Sequence, residues 1–137
     1  VEEVDKTEIS NYGVVLPGAK FNQCFEVKEI IEKPSCENAP SNFGVVGRYI
    51  LPAKIMKLLE TVAPGTGNEI QLTDALAAFL NQGSVAACEF SGNRFDCGSN
   101  LGLLKANVFF AVNDPLIGKT FRDWLKEHLD CDGEALI

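Results

Sequence analysis

Three short segments of this 137-residue chain hold side chains that suit chemistry at a charged ligand. The first is Glu32-Lys33-Pro34, which follows a run of β-forming residues. Opposite charges side by side at a strand end can serve two ends of one ligand. An ionised carboxylate only accepts hydrogen bonds and can take two hydroxyl donors from a vicinal diol. An ammonium is a compact point charge that suits a phosphate. Sugar phosphates present both groups. The second segment is Tyr12-Gly13-Val14-Val15, where a glycine at a strand start lets a ligand or another backbone come close. The third is Arg94-Phe95-Asp96-Cys97-Gly98, in which Asp96 leads into a glycine turn. Mg²⁺ takes one or two carboxylates plus substrate phosphates, so one Asp is enough as this chain's share. Each segment also has a plain reading: a solvated charged pair, a glycine needed by the backbone, and a turn residue.

These residues need elements to position them. Residues 12–16 form an apolar run that Pro17-Gly18 is expected to end with a turn. Phe25 to Ile31 reads as a strand, with Phe25, Val27, Glu29 and Ile31 opposed to Glu26, Lys28 and Ile30, and Pro34 stops it. Residues 35–42 have loop composition, Phe43 to Leu51 reads as another strand, and Pro52 suits the first position of a helix. Ile55, Leu58, Leu59 and Val62 mark that helix; Leu72, Ala75, Leu76, Phe79 and Leu80 mark a second, ended by Gln82-Gly83. Val85 to Phe90 and a piece around Arg94-Phe95-Asp96 read as strands. Leu101, Leu104 and Val108 mark a third helix; Phe121, Trp124, Leu125 and Leu129 mark a fourth. Strands come first and helices are interspersed without strict alternation, which suggests an α/β domain with a mixed β-sheet and flanking helices.

Composition narrows the classes. The chain is 46% hydrophobic and 23% charged, as in soluble globular proteins, and 1–137 is expected to form a single domain without an internal linker. No apolar run approaches the ~20 residues that span a bilayer, and the opening residues carry no signal-peptide pattern. A cytoplasmic protein with no membrane partner is expected. Val1 is not an initiator residue, so the chain is expected to be cut from something longer. The net charge of −7 argues against non-specific nucleic-acid binding, yet a single Lys in a pocket can hold one phosphate. The five cysteines, Cys24, Cys36, Cys88, Cys97 and Cys131, show no C-x-x-C pair. Reduced thiols are the simplest reading, and a structural zinc site is not expected. The only histidine, His128, reads as a partly exposed helix residue.

The order and spacing of the pieces carry more than any one of them. Y-G-V-V, then I-E-K-P, then A-P-S-N-x-x-x-V-G-R-Y-I-L, then G-x-G-N-E-I-Q-L-T-D-A-L, then R-F-D-C-G resembles the bacterial UTP–glucose-1-phosphate uridylyltransferase family over roughly residues 10–112. The E-K-P and Y-G-V-V signals are shared with thymidylyltransferases, which leaves such an enzyme as the nearest alternative. A non-catalytic binding or oligomerisation domain is the alternative from another class.

The resemblance implies the C-terminal part of a nucleotide-diphospho-sugar transferase, with a Rossmann-like fold. It implies formation of UDP-glucose and pyrophosphate from UTP and glucose 1-phosphate with Mg²⁺. It further implies that the backbone at Gly13 meets the sugar, Glu32 accepts its hydroxyls, and Lys33 holds its phosphate as the catalytic cation. Val46 and Gly47 would line the sugar pocket, and Asp96 would face the metal. The glycine-rich G-x-G-T-R loop and the P-K segment expected upstream are not in the sequence, so this chain alone is expected to be inactive and prone to self-association as a homo-oligomer. Glu69 to Asp74, the most distinctive stretch, is given a structural job, with Thr73 or Asp74 capping the second helix.

Overall fold

A computed structural model describes residues 1–129; Cys131 lies outside the described residues. The chain divides into two compact units, Val1–Ser91 and Gly92–Ile137.

The first unit is a five-stranded sheet covered by helices. Its strands are β1 (Glu2–Glu3), β2 (Gly13–Phe21), β3 (Cys24–Glu32), β4 (Phe43–Gly44) and β5 (Ala86–Cys88), in the order β1-β4-β2-β3-β5. The α/β class is as expected, but every described pairing is antiparallel. The connections explain this. β2 and β3 are joined directly by a tight turn at Asn22, whose φ of 55° is one that asparagine tolerates. A parallel neighbour would need a long crossover.

Pro17-Gly18 does not end β2. The strand runs on to Phe21, and the pair lies at an irregular stretch of ladder instead. Proline donates no backbone N–H, so within an inner strand it is tolerated at a bulge. Leu16 faces Glu29 and Pro17 faces Val27, which leaves Lys28 as an extra residue on β3. The bulge shifts side-chain parity along β3. Phe25 and Val27 are buried, then Ile30 is buried, not Glu29. One inserted residue moves everything after it to the other face. Glu32 therefore shares the core-side face with Ile30. Gly18 makes room for the bulge: a Cβ there would lie 2.7 Å from Lys28 Cε.

The strand expected over 43–51 is regular only at Phe43–Gly44; the chain beyond turns through Gly47 and Arg48, with φ of 95° and 73°. Two consecutive left-handed residues cannot continue a ladder. Helix α1 (Lys54–Leu59) buries Ile55, and α2 (Leu72–Leu80) buries Ala75 and Leu76. The core cluster joins Val15, Phe25, Val27, Ile30, Ile55, Leu76 and Ala87, with the Phe25 and Phe43 rings 5.0 Å apart.

Cys24 and Cys88 face each other across β3 and β5 and form a disulfide, which overturns the expectation of reduced thiols. Sequence spacing could not reveal it, because 64 residues separate the pair. Among the described residues, Cys36 and Cys97 are free.

The second unit holds α3 (Asn100–Asn113) and α4 (Gly118–Leu129). Residues 94–96 are not a strand. Ser99 caps α3 by accepting the N–H of Gly102 at 3.0 Å. The expected apolar face of α3 is exposed at Leu101, Leu104 and Val108, while Ala106 is buried. In α4, Trp124 stacks between Phe121 and His128.

Ile55 is fully buried. Ile55→Ala should lower the unfolding free energy by about 2–5 kcal/mol, the cost of lost burial plus a cavity. Urea denaturation followed by far-ultraviolet circular dichroism would read this; an unchanged midpoint would contradict the packing described.

Candidate functional site

The antiparallel order brings three strand ends together. Gly13 opens β2 and pairs directly with Glu32, which closes β3. The Lys33 N–H donates to the Tyr12 carbonyl at 3.0 Å, and the Val45 N–H donates to the Gly13 carbonyl at 2.8 Å. At this end of the sheet, in the first unit, lies a cleft of ≈ 220 Å³. Its wall includes Asn11, Tyr12, Gly13, Glu32, Val45 and Tyr49, together with Gln71-Leu72-Thr73 at the start of α2.

Glu32 is the charged group of the cleft, with its side chain only 15% exposed. Burying a carboxylate is costly unless it is hydrogen-bonded or paired. Both conditions are met. The Thr73 hydroxyl donates to Glu32 Oε2 at 2.6 Å, and Lys33 Nζ lies 3.7 Å from Oε1. Thr73 sits in the first turn of α2, where the helix dipole adds a favourable field for a nearby anion. Lys33 remains 45% exposed, so the pair contributes little to stability. Its consequence is positional: a cation stands beside the carboxylate, although Lys33 is not itself among the residues that line the cleft. Lys33 has a φ of 44° and Arg48 one of 73°, conformations that side chains other than glycine's adopt at a cost.

Gly13 has no room for a side chain. A Cβ would lie 2.7 Å from Thr73 Cγ2 and 3.1 Å from Glu32 Oε2. The close approach anticipated at this glycine is thus made first by Thr73 and Glu32, and the glycine also lines the cleft. Val46 and Gly47 stand in the same irregular segment, but the lining residues there are Val45 and Tyr49. Nothing lies within 4 Å of a Cβ built on Gly47.

Thr73 does not cap α2. Gln71 occupies the N-cap position with no side-chain cap bond, and the Thr73 hydroxyl turns to Glu32. Sequence reasoning therefore left Thr73, Tyr49 and Asn11 out of the site. The one signal for Thr73 was the distinctiveness of Glu69 to Asp74.

Asp96 belongs to the second unit. Its Oδ1 accepts the Gly98 N–H at 2.9 Å, the turn geometry that its sequence context suggested. An exposed carboxylate with its other oxygen outside that bond suits one ligand position on Mg²⁺, a hard cation that prefers oxygen donors. No group of three or more acidic, His or Cys side chains suited to a metal occurs among the described residues, so the rest of a coordination shell would come from phosphates, water and donors outside them.

A family model described as nucleotidyl transferase matches residues 1–113. The chain belongs to the nucleotidyl transferase family. Within it, the chain is 40% identical over 127 residues to the UTP–glucose-1-phosphate uridylyltransferase of Staphylococcus epidermidis, covering 93% of this chain and 44% of that protein. The enzyme of that name from Staphylococcus haemolyticus matches with the same identity and coverage. Among solved structures, the UDP-glucose pyrophosphorylase from Acinetobacter baumannii superposes with a TM-score of 0.77 at 42% identity, covering 93% of this chain and 44% of that one. A UDP-glucose pyrophosphorylase complexed with UDP-glucose superposes with a TM-score of 0.75 at 43% identity, covering 80% and 42%. The resemblance read from the motifs therefore holds for this nucleotidyl transferase chain, which spans less than half the length of these relatives. No helix among the described residues is long and apolar enough to cross a membrane.

Partial desolvation, and secondarily the charge of Glu32, hold the Tyr49 phenol above its ordinary pKa, although the residue as a whole is 42% exposed. The fold thus favours the neutral phenol. That preference leaves stability unaffected below the ordinary tyrosine pKa, and stability falls as pH rises through the raised one. In a Tyr12→Phe protein, where Tyr49 is the remaining tyrosine, phenolate absorbance should have a midpoint above the ordinary value. Adding Glu32→Gln should move it only part of the way back, because desolvation is the larger cause. An ordinary midpoint in the Tyr12→Phe protein would place Tyr49 outside the cleft.

Proposed function

We propose that this chain is the sugar-phosphate-binding part of a nucleotidyltransferase that makes UDP-glucose and pyrophosphate from UTP and glucose 1-phosphate. The observation that carries this reading is the Glu32 carboxylate, held by Thr73 in a cleft and flanked by Lys33. An acceptor-only group beside a cation matches a ligand with hydroxyls at one end and a phosphate at the other. The names of the relatives point the same way.

In this reading Glu32 accepts two sugar hydroxyls, and the backbone at Gly13 and Val45 forms the adjoining wall. Lys33 holds the sugar phosphate. A phosphate oxygen forms a bond to the α-phosphorus of UTP as the bond to pyrophosphate breaks, so no covalent enzyme intermediate is needed. Catalysis is then positioning plus charge neutralisation between two anions that repel each other. When bound, Mg²⁺ would neutralise phosphate charge, and Asp96 is the residue of this chain that would hold it. A nucleoside triphosphate substrate supports a cytoplasmic setting, while the Cys24–Cys88 disulfide counts against one. The two units would form one half of the working enzyme, the donors that wrap the triphosphate lying in sequence outside these 137 residues. Exposed apolar side chains such as Ile50 and Met56 support a homo-oligomer or docking to such a half.

Titration calorimetry of the purified chain with glucose 1-phosphate should show binding that weakens about tenfold or more in Lys33→Ala, as loss of a charged hydrogen bond implies. Absence of binding would favour a purely structural or oligomerising role. The chain alone should not release pyrophosphate from UTP and glucose 1-phosphate. Turnover that Lys33→Ala abolishes would show that it needs no further half.

A further inference from the structure

We infer that Thr73 is a positioning residue, which acts on the ligand through Glu32. The inference deepens the sugar-phosphate reading above and rests on it. Three observations carry it.

The first is the hydrogen bond. Thr73 is 6% exposed, and its hydroxyl donates to Glu32 Oε2 at 2.6 Å, the range of a bond to an ionised oxygen. A glutamate has three rotatable side-chain bonds. Fixing one carboxylate oxygen removes most of that freedom before a ligand arrives, which lowers the ordering cost of binding.

The second is the kind of partner. A hydroxyl is neutral, so it orients the carboxylate without cancelling its charge. Oε1 is left on the side of Lys33, 3.7 Å from its Nζ, with acceptor capacity for a ligand hydroxyl.

The third is the methyl group. Thr73 Cγ2 occupies the space that a side chain at residue 13 would take, 2.7 Å from an ideal Cβ. One side chain therefore sets both the carboxylate and the distance of the Gly13 backbone from the helix. No feature of α2 itself requires a threonine there, since the helix end is not capped by it.

Glucose 1-phosphate binding by the purified chain tests this with Thr73→Val, Thr73→Ser, Glu32→Gln and the Glu32→Gln/Thr73→Val double variant. Valine keeps the shape and methyl but removes the donor; serine keeps the donor. Affinity should fall about tenfold in Thr73→Val, the scale of a lost hydrogen bond to a charged group. Thr73→Ser, which keeps the donor and loses the methyl beside Gly13, should lose less affinity than Thr73→Val; an equal or larger loss overturns the part given to the hydroxyl. The double variant should bind no more weakly than Glu32→Gln, because an indirect effect vanishes once its target is changed. Wild-type affinity in Thr73→Val, or a further loss in the double variant, overturns the inference while Glu32→Gln still weakens binding. Unchanged affinity in Glu32→Gln, or no binding by the wild-type chain, overturns the sugar-phosphate reading and this inference with it. Thermal unfolding of each variant separates loss of fold from loss of affinity, and Thr73→Cys, a weak donor of similar size, replaces a valine variant that fails to fold.

Discussion

The site depends on one extra residue in a strand. Lys28 has no partner of its own on β2, and its insertion turns the rest of β3 over. Without it, strict alternation would put Glu32 on the face opposite Phe25 and Val27, away from the helices. With it, the carboxylate comes under the first turn of α2, within reach of Thr73. The residues that permit the bulge are local: Pro17, which offers no N–H to the ladder, and Gly18, which leaves room for the Lys28 stem. A pair that reads as a turn in sequence thus acts on side-chain direction at the far end of the neighbouring strand.

Once Glu32 is on that face, packing and electrostatics act in the same direction. A largely buried carboxylate needs donors, and the start of a helix supplies a hydroxyl and a favourable dipole. The hydroxyl can reach it only if the helix sits close to the sheet. Gly13 allows that closeness, being a position where any side chain would strike Thr73. The glycine, the glutamate and the threonine come from three separate parts of the chain, yet each explains the residue type of the other two.

Much of this was legible in sequence, for reasons that differ between elements. Periodicity located α2 correctly, because its buried residues Ala75 and Leu76 lie on a continuous apolar stripe. Strand β3 was also legible, but its faces were misassigned beyond Val27, since a bulge leaves no mark in a hydrophobic pattern. The segment after Gly44 reads as strand by composition and is irregular because Gly47 and Arg48 take left-handed conformations. Arginine carries no sequence signal for that. Glu32, Lys33 and Gly13 were singled out from their ordered neighbours, and they lie together at one end of the sheet. Thr73 and Tyr49 were missed, because Thr73 meets Glu32 across some forty residues of chain and Tyr49 feels its charge across some seventeen.

The Cys24–Cys88 bridge makes the first unit partly a macrocycle. Every lining residue of the cleft except Asn11, Tyr12 and Gly13 lies on the ring that it closes. Glu32, Val45, Tyr49 and Thr73 therefore stay tethered to one another even when the sheet opens. The strand that carries Gly13 lies outside the ring, joined to it by the Asn22 turn and held against it by hydrogen bonds and packing. Cut at the bridge, the unfolded chain would regain the freedom that closing a ring of this size removes, and the parts of the cleft would start their search from further apart.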